Sequence, residues 1–401
     1  MNEREFDVIV FGATGFTGRL VAEYFAEIAG EQRLRWAIAG RDRAKLERVR
    51  EALGAEVSVL VGDAMDEAAM RAMARRTRVV LSTVGPFARY GSALVGACVA
   101  EATDYCDTTG EVQWVRAMID AHHERAKASG ARIVHCCGYD SVPSDLGTLA
   151  LFDHVEKTRG VKLARIDHYA GEVRGGVSGG TIASMVNVME EASHDRALRK
   201  LLLDPYSLNP APRPTGPDVN DAIRVRFDSR LQLWTAPWVM AAINSRVVRR
   251  SNAMMGYRYG QGFRYAEAMS TGAGVKGLAR AAGATAAMAG ALVALQPAKL
   301  RELLKERVLP KPGEGPSRES IERGFFVSRF VGEAPGVDAR LIIRGQRDPG
   351  YGATARMIAE SALALLQGER VSEGGVLTPA SAIGLQLVSR LERVGIRFEF
   401  E

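Results

Sequence analysis

Phe6-Asp7-Val8-Ile9-Val10-Phe11-Gly12-Ala13-Thr14-Gly15-Phe16-Thr17-Gly18 is an apolar run that breaks into three glycines and then opens a helix. It reads as strand, tight turn and helix. Gly12 and Gly15 let the backbone turn and approach a pyrophosphate, and Gly18 lets the helix pack on the strand. The free N–H groups of the helix start, around Thr14, Phe16 and Thr17, face the phosphates. The spacing Gly-x-x-Gly-x-x-Gly differs from the commoner Gly-x-Gly-x-x-Gly but keeps its mechanics. A lone glycine triplet is a weak signal, whereas one that follows the first strand and precedes further βα units marks a dinucleotide site.

The chain has 401 residues, 47% apolar and 25% charged, which predicts a globular protein of two domains. A net charge of +6 is modest for this length and forms no basic stripe, which argues against nucleic acid as a partner. Four cysteines, two of them adjacent at Cys136 and Cys137, make neither a disulfide ladder nor a metal spacing, and they suit a reducing, cytoplasmic setting. The charged start Met1-Asn2-Glu3-Arg4-Glu5 runs straight into the first strand, so no signal peptide is expected.

After Gly18, Leu20, Val21, Tyr24, Phe25 and Ile28 recur at helical spacing. Strands are expected at Leu34–Gly40, Val57–Val61, Val79–Val84, Tyr105–Cys106 and Ile133–Cys137, with helices between them and Asp42 and Asp66 as caps. Alternating strands and helices imply a doubly wound parallel sheet of Rossmann type over residues 1–142. From Pro143 to residue 349 the pattern becomes a second, α+β domain, and residues 350–401 carry helices expected to return to the first. Asp204–Asp218, with five prolines, predicts a loop or lid. Long helices are expected near Pro237–Arg250 and Val275–Arg307, and antiparallel strands at Phe325–Val331 and Ala339–Gly345. Ala281–Leu295 is too short to span a membrane, which leaves a buried helix, an acyl-tunnel lining or a helix lying in a membrane interface.

Cofactor choice is decided where the second strand ends. Gly40-Arg41-Asp42-Arg43 places Arg41 where a 2′-phosphate would lie, so NADP is favoured over NAD, with Asp42 read as a helix cap. Asp63 is a candidate adenine contact. Ser82, Thr83, Val84, Gly85 and Pro86 close the fourth strand beside the nicotinamide half. The sixth strand ends in Gly138-Tyr139-Asp140-Ser141-Val142-Pro143-Ser144-Asp145, at the edge where sheets of this build place their chemistry. Tyr139 could donate a proton and Asp140 or Ser141 could position substrate, while Ser141 and Asp145 read equally well as caps of the next helix. No Tyr-x-x-x-Lys pair occurs, which argues against the short-chain dehydrogenase mechanism. His122 and His123 read as solvated, and His168 and Tyr169 as cleft or core.

Several blocks together carry a resemblance. They are Phe11–Gly18, Gly40–Arg43, Ser82–Phe87, Gly138–Asp145, Ser178-Gly-Gly-Thr-Ile-Ala-Ser184, Asp348-Pro-Gly-Tyr-Gly-Ala-Thr354 and Gly374-Gly-Val-Leu-Thr-Pro-Ala-Ser381. The set resembles the saccharopine dehydrogenase-like oxidoreductases and, among them, is most similar to mycobacterial trans-acting enoyl reductases. That resemblance implies NADPH as hydride donor and a small-molecule or lipid-linked acyl substrate, and it assigns no catalytic residue. Trp234, Trp238, Met240, Met254 and Met255 suit an apolar tunnel for such a chain. Contact with a membrane surface and self-association stay open. The competing readings are a non-catalytic NADPH-binding or lipid-associated protein and a saccharopine-type reductase with arginines gathered around an amino-acid substrate.

Removing a charge-assisted contact to the 2′-phosphate weakens binding by about 1.5 to 3 kcal/mol. Arg41→Ala is therefore expected to weaken NADPH binding while leaving NADH binding nearly unchanged. Fluorescence titration of both nucleotides checks this, and a wild type that prefers NADH refutes the assignment.

Overall fold

In the computed structural model, which describes residues 4–176, 179–212, 216–219, 224–294 and 315–401, two seven-stranded sheets share the chain. Strand β1 (Phe6–Phe11) is buried along its whole length because it runs between β2 (Trp36–Gly40) and β4 (Thr77–Ser82). β3 (Ser58–Val61) forms one edge. On the other side lie β5 (Asp104–Asp107) and β6 (Arg132–Val134). Every pairing is parallel, so helices cover both faces, as the near-continuous apolar strands require. They are α1 (Phe16–Gln32), α2 (Arg43–Leu53), α3 (Glu67–Arg75), α4 (Phe87–Tyr90), α5 (Ser92–Ala100) and α6 (Val112–Ser129).

Helix α7 (Val142–Arg159) leaves the first sheet and packs on the second. There β7 (Arg165–Arg174) is followed by α8 (Gly179–His194) and α9 (Arg196–Leu203). Next come β8 (Arg226–Asp228), β9 (Leu233–Ala236), α10 (Ala241–Met254), β10 (Arg264–Gly272) and α11 (Gly274–Ala294). The short α12 (Arg318–Glu322) precedes the hairpin β11 (Phe325–Ala334) and β12 (Val337–Gln346). The chain then makes a π-helical turn, Pro349–Ala353, and enters α13 (Thr354–Gln367), which packs on the first sheet and on α1.

The C-terminal segment serves both sheets. β13 (Gly375–Leu377) adds a seventh parallel strand beside β6, after which α14 (Pro379–Ala382) and α15 (Gln386–Arg393) lead to β14 (Ile396–Phe400) beside β12. The sequence over Thr378–Val394 reads as a single helix. It breaks at Gly384, whose φ of +70° lies in the left-handed region. The second sheet runs β14-β12-β11-β7-β10-β9-β8, antiparallel except where β7 meets β10.

Two expectations change. The proline-rich segment is no open lid over its described part, because guanidinium groups hold its carbonyls. Arg116 of α6 donates to Ser207 O and Asn209 O at 3.2 and 3.0 Å, and Arg246 and Arg249 of α10 donate to Asp204 O and Pro205 O at 3.1 and 3.0 Å. Arg250 is fully buried and donates to Leu208 O and to Val376 O of β13. Burial and the neighbouring Arg116 push its pKa down to about 9. His123 is half-buried and accepts the Val376 N–H at 3.1 Å, so it is a partner of the edge strand and not a solvated residue.

Arg250→Met leaves the carbonyls of Leu208 and Val376 without their donor and is expected to destabilise the fold by about 2 to 4 kcal/mol. A thermal scan should show melting several degrees below wild type. An unchanged midpoint would refute the role given to this arginine.

Candidate active site

Gly12 has φ +99°, and a Cβ there would stand 2.7 Å from Thr83 Oγ1 and 2.8 Å from Val84 Cγ2. A Cβ on Gly18 would stand 2.1 Å from Gly12 O. These two glycines let the helix start touch the strand end. Gly15 differs: it has ordinary extended angles, donates its N–H to Gly12 O at 2.9 Å, and a Cβ there meets only that oxygen, at 3.3 Å. Its side-chain position points away from the protein. As the N-cap of α1 it offers no side-chain acceptor, whereas α2, α3 and α9 begin on Asp42, Asp66 and Asp195, each accepting backbone N–H groups. The first turn of α1 thus keeps its donors for an anion, and the cradle fits a dinucleotide pyrophosphate.

Around the cradle, Thr14 Oγ1 lies 3.8 Å from a Cβ built on Gly40, the last residue of β2. Arg41 follows, exposed and without an ion-pair partner among the described residues, while Asp42 caps α2 through the Lys45 N–H at 3.0 Å. The Asp63 carboxylate is exposed and receives the Met65 N–H at 2.9 Å, leaving its other oxygen to solvent. Thr83 Oγ1 lies 3.4 Å from the carbonyl oxygens of Phe11 and Gly12. Val84 and the cis Gly85-Pro86 bond form the rim next to the glycine turn. Ser82 is buried in the sheet, its hydroxyl 3.4 Å from the Val84 N–H, so only its backbone borders the site. Glu111, fully buried, fixes the rim from below by accepting the Phe87 and Ala88 N–H groups at 2.8 and 2.9 Å and the Ser184 hydroxyl at 2.8 Å.

Phe16 meets the second half of the chain. Its ring packs edge-on against Tyr351 at 4.8 Å. Asp348 accepts the Tyr351 and Gly176 N–H groups at 2.8 and 3.0 Å, and Tyr351 Oη accepts the Gly179 N–H at 2.9 Å. The Asp348–Thr354 block is therefore the clasp that holds the start of α8 over the glycine turn; Ser178 lies outside the described residues.

Asp107, the last residue of β5, accepts the Thr109 and Cys136 N–H groups at 3.1 and 3.2 Å and pairs with His135 Nδ1, just past β6, at 2.7 Å. Tyr139 donates its N–H to Thr354 Oγ1 at 3.0 Å and packs its ring edge-on against Phe326 at 4.7 Å. Burial raises the Tyr139 pKa further above the normal phenol value, which keeps the hydroxyl neutral. Asp140 is half-buried with no cation beside it among the described residues. Its Oδ2 shares the space beside Gly110 with Met240 and Ile243, and burial pushes its pKa up to about 6.

Ser141 and Asp145 are not side-chain caps of α7. Ser141 donates to Asn244 Oδ1 at 3.0 Å, and Asn244 donates to Glu267 Oε2 at 3.0 Å. Glu267 Oε1 receives the Tyr265 hydroxyl at 2.6 Å and faces His168 Nδ1 at 3.3 Å. Burial opposes the charge on Glu267, yet His168 and these hydrogen bonds hold its pKa below the usual carboxylate value. Asp145 accepts the Ala380 N–H at 2.8 Å and the Ser251 hydroxyl, and burial raises its pKa to about 7 against those bonds. The residues that sequence reasoning missed, Glu111, Asn244 and Glu267, carry no local signature. Asp-Pro at 348 was the one available turn signal.

Among the described residues, α11 does not form the expected wall of an apolar tunnel. Helix α11 is mostly exposed, with Val275 at 83% and Val293 at 70%, and nothing lies within 4 Å of a Cβ built on Gly290. The buried-helix reading of this segment is thereby corrected, and α11 lines neither of two cavities of about 590 and 270 Å³. The smaller lies at β7 to β10, among Arg226, Arg230, Arg249 and Arg264, and reaches His168 and Glu267. No helix among the described residues is long and apolar enough to cross a membrane.

A parallel sheet with an uncapped glycine turn at its centre, joined to a mixed sheet, defines a two-domain dinucleotide-binding oxidoreductase. Residues 8–134 match the saccharopine dehydrogenase NADP binding domain. A trans-acting enoyl reductase of Mycobacterium tuberculosis (strain H37Rv) is 39% identical, across 98% of this chain and 97% of its own. A second protein of that strain, provisionally given the same name, is 42% identical across 99% of this chain and 97% of its own. The chain belongs to this family of saccharopine dehydrogenase-like oxidoreductases. The fold likeness extends to saccharopine dehydrogenase of Saccharomyces cerevisiae, with TM-score 0.55, 12% identity, and coverage of 99% of this chain and 100% of that one.

The two glycine classes separate by experiment. Gly18→Ala forces Gly12 O aside and is expected to destabilise the first domain. Gly15→Val leaves folding intact and removes NADPH binding by filling the pyrophosphate position. Circular dichroism melting and nucleotide titration distinguish them, and a Gly15→Val protein that binds NADPH normally refutes the cradle.

Proposed function

We propose that the protein is an NADPH-dependent enoyl reductase acting on a lipid or polyketide-type acyl substrate, with Asp140 as the proton donor. The observation that carries this reading is the Asp140 carboxyl, with no compensating cation among the described residues and flanked by Met240 and Ile243 at the edge beyond β6. Gly12, Thr14, Gly15, Phe16, Thr17 and Gly18 would hold the pyrophosphate, Arg41 the 2′-phosphate, Asp63 the adenine, and the backbone of Ser82 to Pro86 the nicotinamide half. Bound NADPH supplies the hydride. Reduction of a conjugated double bond also needs a proton at the neighbouring carbon, and a carboxyl with a pKa of about 6 carries one in about half of the molecules at pH 6, far more often than an ordinary aspartate would. Met240 and Ile243 suit the apolar chain on either side of that bond.

Tyr139, neutral and packed on Phe326, shapes the wall, and Ser141 acts through Asn244 on the domain junction. Relatives named trans-acting enoyl reductases support an acyl substrate delivered from outside, as a small thioester or on a carrier. One observation favours a second reading. The 270 Å³ cavity is lined by arginines and reaches Glu267, which is joined through Asn244 to Ser141, as an amino-acid substrate would require.

The test is NADPH oxidation with a long-chain trans-2-enoyl thioester, with an amino- or keto-acid panel in parallel. Asp140→Asn is expected to lower kcat by about 10²- to 10⁴-fold with NADPH affinity retained. Because the acid must be protonated, wild-type turnover should fall as pH rises through about 6, and the variant should lack that step. Unchanged turnover in the variant refutes the donor. Oxidation driven only by the acid panel refutes the acyl substrate, and NADPH binding without oxidation by either panel favours a non-catalytic protein.

A further inference from the structure

The larger cavity, about 590 Å³, lies on the far side of α1 from the glycine turn, between α1, α13, α15 and β14. Tyr24, Ile28 and Gln32 bring the C-terminal half of α1 to it, and Ile28 is twelve residues past Phe16, or about 18 Å along the helix. Five arginines line it against two carboxylates: Arg347, Arg356, Arg390, Arg393 and Arg397, with Glu360 and Glu392.

Two of the five are already engaged. Arg356 pairs with Glu27 at 3.0 Å and lies 3.9 Å over the Tyr24 ring. Arg390 pairs with Glu360 at 3.2 Å, and Glu360 also accepts the Tyr24 hydroxyl. The other three guanidinium groups have no carboxylate partner among the described residues. Arg393 spends only its Nε, on Ser389 O at 3.3 Å. Arg397 stands opposite Arg344 in the β12–β14 register, and Arg344 takes the nearby Glu399 at 3.0 Å. Arg347 has φ +76°, left-handed backbone unusual for a residue with a side chain, and its stem rests on Gly352 of the π-helical turn. Arg347, Arg393 and Arg397 line the cleft with Glu392 as the one lining carboxylate not paired with another arginine among the described residues, which leaves an excess of positive charge that an anion in the cleft would offset.

We propose that this cleft is a second ligand site, distinct from the dinucleotide cradle, that binds a small organic phosphate through Arg347, Arg393 and Arg397. Planar guanidinium groups pair two N–H donors with two phosphoryl oxygens, so a phosphate ester or diphosphate suits the three better than a single carboxylate. The volume lies in the range of small-molecule sites. Ile28 and Val394 offer an apolar strip for the organic portion, and the amides of Gln32 and Gln346 offer it both donors and acceptors.

Isothermal titration of the full-length protein with inorganic pyrophosphate, in saturating NADPH and 150 mM salt, tests the site. The expected result is one saturable site, weakened at least tenfold in Arg393→Gln/Arg397→Gln, with NADPH affinity and melting temperature unchanged. Arg397→Gln alone should weaken it by a smaller factor, and Arg41→Ala should leave it intact. Pyrophosphate binding that survives the double variant but disappears in Arg41→Ala or Gly15→Val would assign it to the dinucleotide cradle and overturn the proposal. Absence of saturable binding overturns it too, as does hexaglutamate binding more tightly than pyrophosphate at the same residues, which would make the cleft a seat for an acidic protein segment.

Discussion

The contact between Gly12 O and the bare Cα of Gly18 is the constraint on which the rest of the molecule depends. A single methyl group at Gly18 would sit 2.1 Å from that oxygen, so the approach of α1 to the end of β1 exists only without a side chain. The same contact presents the first, uncapped turn of α1 to solvent. Phe16, at the head of that helix, then becomes the surface on which Tyr351 settles, and Tyr351 in turn holds the start of α8. Phosphate cradle, clasp and the roof over the site are consequences of one close approach of backbone to helix.

The junction between the two sheets is built from buried polar groups that satisfy one another. Asp145 joins α7 to α10 and to the segment after β13, while Ser141, Asn244 and Glu267 run from the end of the first sheet into the middle of the second. Arg250 links the loop after α9 to the edge strand β13. Away from water each of these bonds is stronger than at the surface, and each unmade one is costlier, so such a network holds the domains in one arrangement. Asp140 is the exception at this junction. Among the described residues it lies next to the network without a cation beside it, and burial alone pushes its pKa up.

The first sheet was legible because its signals are local: apolar runs of strand length, helical spacing between them, caps at Asp42 and Asp66, and a glycine turn with a single mechanical reading. The position of Arg41 beside the turn was legible for the same reason, being the residue next to Gly40. The second sheet was less so. In β10 the inward positions are Tyr265 and Glu267, and a glutamate on the buried face hides the alternation that marks a strand. Helix α10 carries Arg246, Arg249 and Arg250 inside the protein, where its sequence suggests a solvated face, because their carbonyl partners come from the distant 202–209 segment.

By itself the sequence determined the doubly wound sheet, the glycine turn and which residues lie beside it, since each rests on contacts within a few positions along the chain. The tertiary structure alone decided which side of a given segment meets another. It left the Ala/Gly-rich α11 exposed, although its composition equally suits a core, and turned Ser141 toward Asn244 and Asp145 toward Ala380 when both read as helix caps. It also gathered Arg347, Arg393 and Arg397 from separate elements into one cleft. The physical reason is common to all of these. Burial, hydrogen-bond partners and the field at a charged group are properties of what lies across the gap, and in this chain a group across the gap can be 336 residues away in sequence, as Glu360 is from Tyr24.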